Sequence, residues 1–333
     1  MAGMETTMKK KDTTTIDLPI MVPDYLPRTL KKPMLKIAWS DSYVLPLPPH
    51  HRFPMSKYEI LPQQLLYEGT IGEVNLFRPE RIERKWVLRT HEEVYLDRLV
   101  SLSLTPKEIR HTGFPLTEQV VNREMAIMNG TLLCARYALE YGVSMNIAGG
   151  THHAFTNRGE GFCLLNDQAI ASNYLLATGA VKRILIVDLD VHQGNGTAQI
   201  FANDNRVFTF SIHGANNYPL VKERSDLDIG LPDHTSDSFY LKTLDANLKN
   251  VVDSFEPEFI FFQSGVDILE TDKLGRLSIS REGCRARDRL VLELAKRNRI
   301  PLVASMGGGY SADFRDIIEA HANTFRLAQE IFF

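Results

Sequence analysis

The sequence predicts an α/β domain built on a parallel sheet, and three observations carry that prediction. Strand-like and helix-like stretches alternate along most of the chain. The strand-like runs are apolar throughout instead of alternating with polar residues, the mark of strands buried on both faces. Each of several such runs then ends in polar, chemistry-bearing residues. ILIVDLDVHQGNG (184–196) shows the pattern at its sharpest. Ile184 to Val187 read as a buried strand, and Asp188, Asp190 and His192 follow at once. In an extended chain alternate side chains share a face, so these three are expected to look the same way. Unpaired carboxylates at a buried strand end are costly, and Asp-x-Asp-x-His on one face supplies half of a divalent-metal site.

In chain order, residues 1–33 are polar, then punctuated by proline, and lack a clear period; they read as a loosely ordered arm or a segment packed on the outside. The folded domain, 34–333, opens with LKIAW (35–39), strand-like. HEEVYLDRLVSL (91–102) has helical periodicity. A long helix starts after Thr117 as N-cap and stops at Gly142. MNIAGG (145–150) is a short strand, and DQAIASNYLLATG a helix closed by Gly179. After the strand at 184 come a helix near TAQIFAN and the strand RVFTFSI (206–212). A helix over 237–254 leads to EFIFFQSG (258–265), strand-like. A helix over 281–298 leads to IPLVASMGGGY (300–310), and a last helix fills 314–331. No repeat, low-complexity tract or linker interrupts 34–333, so one domain is expected.

Composition sets bounds. The 333 residues are 44% hydrophobic and 24% charged with a formal charge of -3, values of an ordinary soluble globular chain. Near-neutral charge argues against direct nucleic-acid binding. No apolar run approaches the ~18 residues that span a bilayer, and MAGMETTMKKKDTTT lacks the apolar core of a signal peptide. Neither membrane attachment nor secretion is expected. Cys134, Cys163 and Cys284 have no CxxC spacing and read as reduced thiols of a cytoplasmic chain, or a nuclear one in a eukaryote. Any metal must then be held by His and carboxylate.

The residues just beyond the strands converge. MNIA leads into Gly149-Gly150-Thr151-His152-His153, ILIV into the Asp-x-Asp-x-His run, FIFFQSG into Val266-Asp267, and LVASM into Gly307-Gly308-Gly309-Tyr310. Ligands of open α/β sheets bind beyond the carboxyl ends of the strands. Taken singly, each piece has a bland reading: a loop carboxylate, two satisfied histidines, a turn cap, a packed tyrosine. Four such pieces at one sheet edge are not a coincidence, and a catalytic site is expected there.

GGTHHAFTNRGEGFCLLND, VDLDVHQGNGT, SGVDILETDKLGRLSIS and GGGY together resemble the zinc-dependent histone deacetylase family, with the motifs in the family's order from about residue 35 to 330. His-Gln after VDLDV, and Asn195 where other branches carry Asp, resemble class IV and its bacterial relatives. The resemblance implies one domain with a central eight-stranded parallel sheet flanked by helices. It implies that Asp190, His192 and Asp267 hold one Zn²⁺, with Fe²⁺ as the alternative ion. It implies that the ion activates a water for attack on an acyl-lysine amide, that His152 with Asp188 and His153 with Asn195 form the acid/base pair, and that Tyr310 stabilises the oxyanion. His153 is expected as the principal acid/base, because neutral Asn195 favours imidazolium less than Asp188 does. Gly161, Phe162, Tyr218 and Gly308 resemble the walls of the acyl-lysine channel. Asp188, Asp190, His192, Ser211 and Ile212 resemble the family's structural K⁺ site.

The expected substrate is an acyl-lysine protein or peptide, acetylated or carrying the longer acyl groups linked to class IV. The acidic loop residue that grips the peptide backbone in class I has no match, which leaves a small acetylated amine such as an acetylpolyamine as the alternative. An arginase-like ureohydrolase shares the architecture but needs Asp-x-His-x-Asp, and Gly194 stands where the last carboxylate belongs. A non-catalytic acyl-lysine binder is expected to lack a ligand, a histidine or the tyrosine, and none is missing.

Overall fold

The computed structural model describes residues 33–333, so the arm expected over 1–33 lies, Pro33 apart, outside the described residues. The strands are β1 Lys36–Ala38, β2 Leu76–Phe77, β3 Val143–Asn146, β4 Ile184–Asp188, β5 Val207–Gly214, β6 Leu227–Leu231, β7 Phe259–Gln263 and β8 Leu302–Ser305. They form one eight-stranded sheet in the order β2-β1-β3-β8-β7-β4-β5-β6, every neighbouring pair parallel. The strands between the edges bury apolar side chains on both faces, which is why they read as continuous apolar runs.

The helices are α1 Lys57–Tyr67, α2 Arg84–Val87, α3 Glu93–Val100, α4 Pro106–Thr112, α5 Glu118–Tyr141, α6 Asp167–Ala177, α7 Asn195–Phe201, α8 Asp237–Phe255, α9 Arg281–Asn298 and α10 Phe314–Phe332. The Thr117 hydroxyl accepts from Val120 N at 3.2 Å to cap α5, and Gly142 ends that helix with a φ of 89°. Among the described residues, no helix is long and apolar enough to cross a membrane.

Five elements, α1, α2, α4, β2 and β6, lie outside the periodicities of the sequence. The first, α1, contains Pro62, which has no N–H to give the Tyr58 carbonyl four residues back. The Trp39 indole donates to that carbonyl instead, at 2.8 Å, and so repairs the helix from outside. β2 is only two residues long. β6, LDIGL, is an edge strand whose Asp228 and Gly230 are exposed and poor strand formers.

The sheet positions the site through one row of residues. The four strands that end in chemistry, β3, β8, β7 and β4, are four consecutive neighbours in the middle of the sheet. Their last residues are in register: Asn146 beside Ser305, Ser305 beside Gln263, Gln263 beside Asp188. All four are buried and polar, and they tie down the loops above them. Gln263 donates to Gly150 O at 2.7 Å, Ser305 to Asp167 at 3.1 Å, and Asn146 accepts from Ala148 N at 3.1 Å. Asp167 in turn receives both N and Oγ1 of Thr151 at 2.8 Å, fixing the chain one residue before the histidine pair.

A second tie comes from beneath. Arg287 and Asp288 on α9 are both fully buried. The guanidinium donates to Leu189 O at 3.2 Å and to Gly265 O at 2.5 Å, while Asp288 neutralises it at 2.7 Å. One side chain thus joins the loop after β4 to the loop after β7.

Candidate active site

The expected strand alternation at 188, 190 and 192 does not hold, because β4 ends at Asp188. Beyond it the chain turns on its own carboxylates: Asp188 accepts from Asp190 N at 3.2 Å, and Asp190 from His192 N at 3.0 Å. Short-range side-chain bonds of this kind compete with the sheet ladder and end it. The turn sends the carboxylates to different places. Asp188 meets His152, whereas Asp190 and His192 meet Asp267. Likewise the expected strand at 145–150 is β3, Val143–Asn146, followed by Gly149 and Gly150 at φ near 75°.

Nδ1 of His192 lies 3.0 Å from Asp190 Oδ1 and 3.1 Å from Asp267 Oδ2. Among the described residues, these three buried side chains form the one cluster able to hold a metal ion, with their ligand atoms all within 4.8 Å. Burial and the neighbouring Asp190 push Asp267 up to about 7. Burial also opposes charge on His192, yet its bonds to Asp190 and Asp267 lift it to about 10. A group of donors that crowds two carboxylates out of water calls for positive charge between them, and a divalent cation fits that set. Asp190 Oδ2 is further held by Gly308 N at 2.8 Å, and Asp267 Oδ1 by Val191 N at 2.9 Å. A side chain at Gly308 would put its Cβ 2.0 Å from Asp267 Oδ2, so glycine is required there.

Above the cluster stand His152 and His153, both buried. His152 Nδ1 is 2.7 Å from Asp188, and its Nε2 3.9 Å from Asp190. Burial works against its charge, but Asp188 and Asp190 raise it to about 9. His153 Nδ1 is 2.7 Å from Asn195 Oδ1. Burial, then the charges of His152 and His192, hold it well below the usual imidazole value. At Gly194 a Cβ would fall 2.2 Å from Asp188 Oδ2, so no carboxylate for a second ion fits there.

A cavity of about 420 Å³ opens onto these groups. Gly161, Phe162, Tyr218 and Gly308 all line it, as do both histidines and Tyr310. Phe162 has φ 65°, uncommon for a residue with a side chain, and its ring packs 5.4 Å from Phe53 and 6.1 Å from Tyr310. The Tyr218 ring stands edge-on to His153 at 5.1 Å. Burial and the nearby Asp267 and Asp190 keep the Tyr310 hydroxyl protonated far above its usual range. Ser211 pairs with Asp188 across β4 and β5, with Ile212 next along the strand.

Several residues at the site carried no signal in the sequence. Asp272, buried, accepts from Tyr310 N and so sets the position of that ring. It sits within a stretch singled out for its family likeness, but one carboxylate in a loop has no period to betray it. Lys57 is fully buried and donates to Gly307 O at 2.9 Å, under the glycine run. Burial lowers its amine to about 8. Arg52 and Arg276 line the cavity and are exposed.

Paired carboxylates and an imidazole beneath two further histidines, at the carboxyl edge of a parallel sheet, define a metal-dependent hydrolase. Comparison with known proteins narrows the class. The family model for the histone deacetylase domain matches residues 51–325. An uncharacterized protein of Picosynechococcus is 42% identical over 89% of this chain and 99% of its own length. Histone deacetylase 2 of Arabidopsis thaliana is 32% identical over 83% of this chain and 74% of its own. The crystal structure of an HDAC homolog from Aquifex aeolicus superposes with a TM-score of 0.76 at 25% identity, covering 88% of this chain and 84% of that one. The chain belongs to the histone deacetylase family. It is a hydrolase of acetylated amides, and like its family it depends on a metal.

Proposed function

We propose that the chain removes acyl groups from lysine side chains with one Zn²⁺ held by Asp190, His192 and Asp267, in the manner of class IV deacetylases. The observation that carries this reading is the shared cavity: the ion cluster, the histidine pair and Tyr310 all face one space of a size for a slim acyl-lysine stem. A divalent ion in that cluster supplies Lewis acidity toward an amide oxygen and acidifies a water beside it.

The chain's own residues do the rest. His153, kept neutral by its surroundings, takes a proton from the attacking water and later passes one to the leaving amine. His152, biased toward its charged form by Asp188, contributes positive charge beside the developing oxyanion. Tyr310 donates its hydroxyl proton to that oxygen in a hydrogen bond. Phe162 and Tyr218 flank the stem and keep water from its sides. A K⁺ near Asp188, Ser211 and Ile212 would offset the inner carboxylate.

Acetyl-lysine is one substrate, and a longer acyl chain is the other form of the same chemistry. Buried Ile127, Cys163 and Tyr58 add apolar lining to the cavity, beside the buried Arg123 guanidinium 5.1 Å from the Tyr58 ring. For a small acetylated polyamine the mouth is less suited, since exposed Arg52 would repel a polycation, while Arg276 is already paired with Asp233 at 3.2 Å. The deciding experiment compares acetyl-lysine peptide, myristoyl-lysine peptide and acetylpolyamine on metal-quantified protein, with a chelator control. Chelator-sensitive turnover of either peptide, above that of the polyamine, is expected. Turnover of the polyamine alone would overturn the lysine assignment.

A further inference from the structure

We propose that Glu160 is a positioning residue for the hydrolysis: by holding the amide end of Asn195 it fixes His153 in the neutral tautomer whose Nε2 is free to take a proton. The inference rests on the assignment of His153 as the base.

The Asn195 side chain stands between two partners. Its Oδ1 lies 2.7 Å from His153 Nδ1, and its Nδ2 lies 3.0 Å from Glu160 Oε1. A carboxamide turned end for end keeps its shape, so its partners decide which end faces which. Toward His153 both orientations make a hydrogen bond, with opposite consequences. If oxygen faces Nδ1, the ring carries its proton there and Nε2 keeps a lone pair. If the amide nitrogen faces Nδ1, the proton moves to Nε2 and the base is blocked.

Glu160 removes the choice. A glutamate carboxylate at neutral pH has only acceptors to offer, so the end of Asn195 that faces it must be the NH₂. The other neighbours agree. The Tyr218 hydroxyl also donates to Glu160 Oε1, and Arg158 Nε lies 3.5 Å from Oε2. Burial and the bond to Glu160 raise the Tyr218 hydroxyl far enough that it remains a donor. Three donors surround one carboxylate, and none of them asks it to give a proton.

The backbone holds Glu160 in place. Its N–H donates to Cys163 O at 2.8 Å, and Cys163 N–H donates back at 2.9 Å. The next residue, Gly161, leaves room for the His153 ring, where a Cβ would lie 2.8 Å from Cδ2. His152 needs no such device, because its partner Asp188 is itself a carboxylate and accepts with either oxygen. An Asn partner needs a third residue to orient it, and Glu160 fills that place without a hydrogen bond to either histidine.

Two measurements test this. The first reads the ring directly: long-range ¹H–¹⁵N spectra of zinc-loaded protein with ¹⁵N-histidine, His153 being assigned by the signal lost in His153→Gln. A proton on Nδ1 and a bare Nε2 are expected; a proton on Nε2 overturns the proposal. This readout needs no substrate, so inactivity on acyl-lysine peptides would sink the functional reading and leave the tautomer to be judged by itself.

The second is a double-mutant cycle. Glu160→Gln brings an NH₂ of its own and lets Asn195 turn, so kcat should fall by roughly an order of magnitude at little changed KM. In an Asn195→Asp background the introduced carboxylate accepts from His153 whichever way it turns, and it is repelled by Glu160. There Glu160→Gln should leave kcat unchanged or raise it. An equal loss in both backgrounds would mean that Glu160 merely supports the loop, and the positioning role would be abandoned.

Discussion

The rings of His152 and His153 lie 4.1 Å apart, centroid to centroid, and their surroundings drive them in opposite directions. Burial opposes charge on His152, but Asp188 and Asp190 raise it to about 9; burial, then the charges of His152 and His192, hold His153 well below the ordinary imidazole range against the bond to Asn195. Neighbouring titratable groups pushed apart in this way divide the work of acid and base between them. His153→Ala should therefore cost turnover ~10²-fold or more, with a smaller loss for His152→Asn, which keeps a hydrogen-bonding group near Asp188. Steady-state kcat on an acyl-lysine peptide checks this, and the reverse order would exchange the roles.

Tyr310→Phe removes one hydroxyl and leaves the ring among Phe53 and Phe162. Loss of a well-aimed oxyanion donor lowers turnover by roughly 10²–10³. Metal content should stay at the wild-type level, as read by elemental analysis of the purified variant. Unchanged kcat would remove Tyr310 from the chemistry.

Asp267→Asn keeps an oxygen for Val191 N but takes away a charged ligand. Ligand binding to the native state alone stabilises by about 2.7 kcal/mol at a hundredfold excess over Kd. Thermal unfolding of the wild type should shift upward on adding a divalent ion after chelation. The variant should show a much smaller shift at the same concentration. An equal shift would place the ion elsewhere.

Arg326 on α10 joins two carboxylates, with Glu68 Oε2 at 2.6 Å and Glu319 Oε2 at 2.9 Å. The bond to Arg326 holds both glutamates below their ordinary 4.5. Groups depressed in the folded state contribute stability above the unfolded pKa and lose it as pH falls through the folded value. Arg326→Met should thus cost ~1 kcal/mol at pH 7, in the upper range for partly exposed pairs. The difference between the two proteins should shrink as pH drops below 4.5 and vanish once pH has fallen through the depressed folded values of both glutamates. Urea unfolding at a series of pH values measures it, and a pH-independent difference would mean that Arg326 acts through packing.

The sheet was legible in the sequence wherever burial on both faces left an unbroken apolar run, as at Ile184–Asp188 and Phe259–Gln263. The long helix was legible from Thr117 and Gly142 at its ends, whereas α4, capped by Thr105 and Gly113, was too short to show a period and went unread. The features that stayed hidden depended on partners far along the chain. No element was expected over 57–67, where Pro62 sits inside a helix whose Tyr58 carbonyl is met by the Trp39 indole. β6, over which the sequence suggested no element, is a strand by virtue of its pairing with β5. At the site, the residues with motif spacing could be named, whereas Asp272, Lys57 and Glu160 act through single contacts with distant backbone or side chains. The shared direction expected of 188, 190 and 192 failed for a local reason: carboxylates that bond their own backbone end the strand early.

The guanidinium of Arg287, pinned between Leu189 O and Gly265 O, makes the cation's seat belong to the scaffold and not to the cation. A receptacle clamped from below needs no guest to keep its form. Protein stripped by a chelator should therefore regain full rate as fast as ion diffuses in, with no slow refolding phase, and different divalent ions should exchange through one unchanged frame.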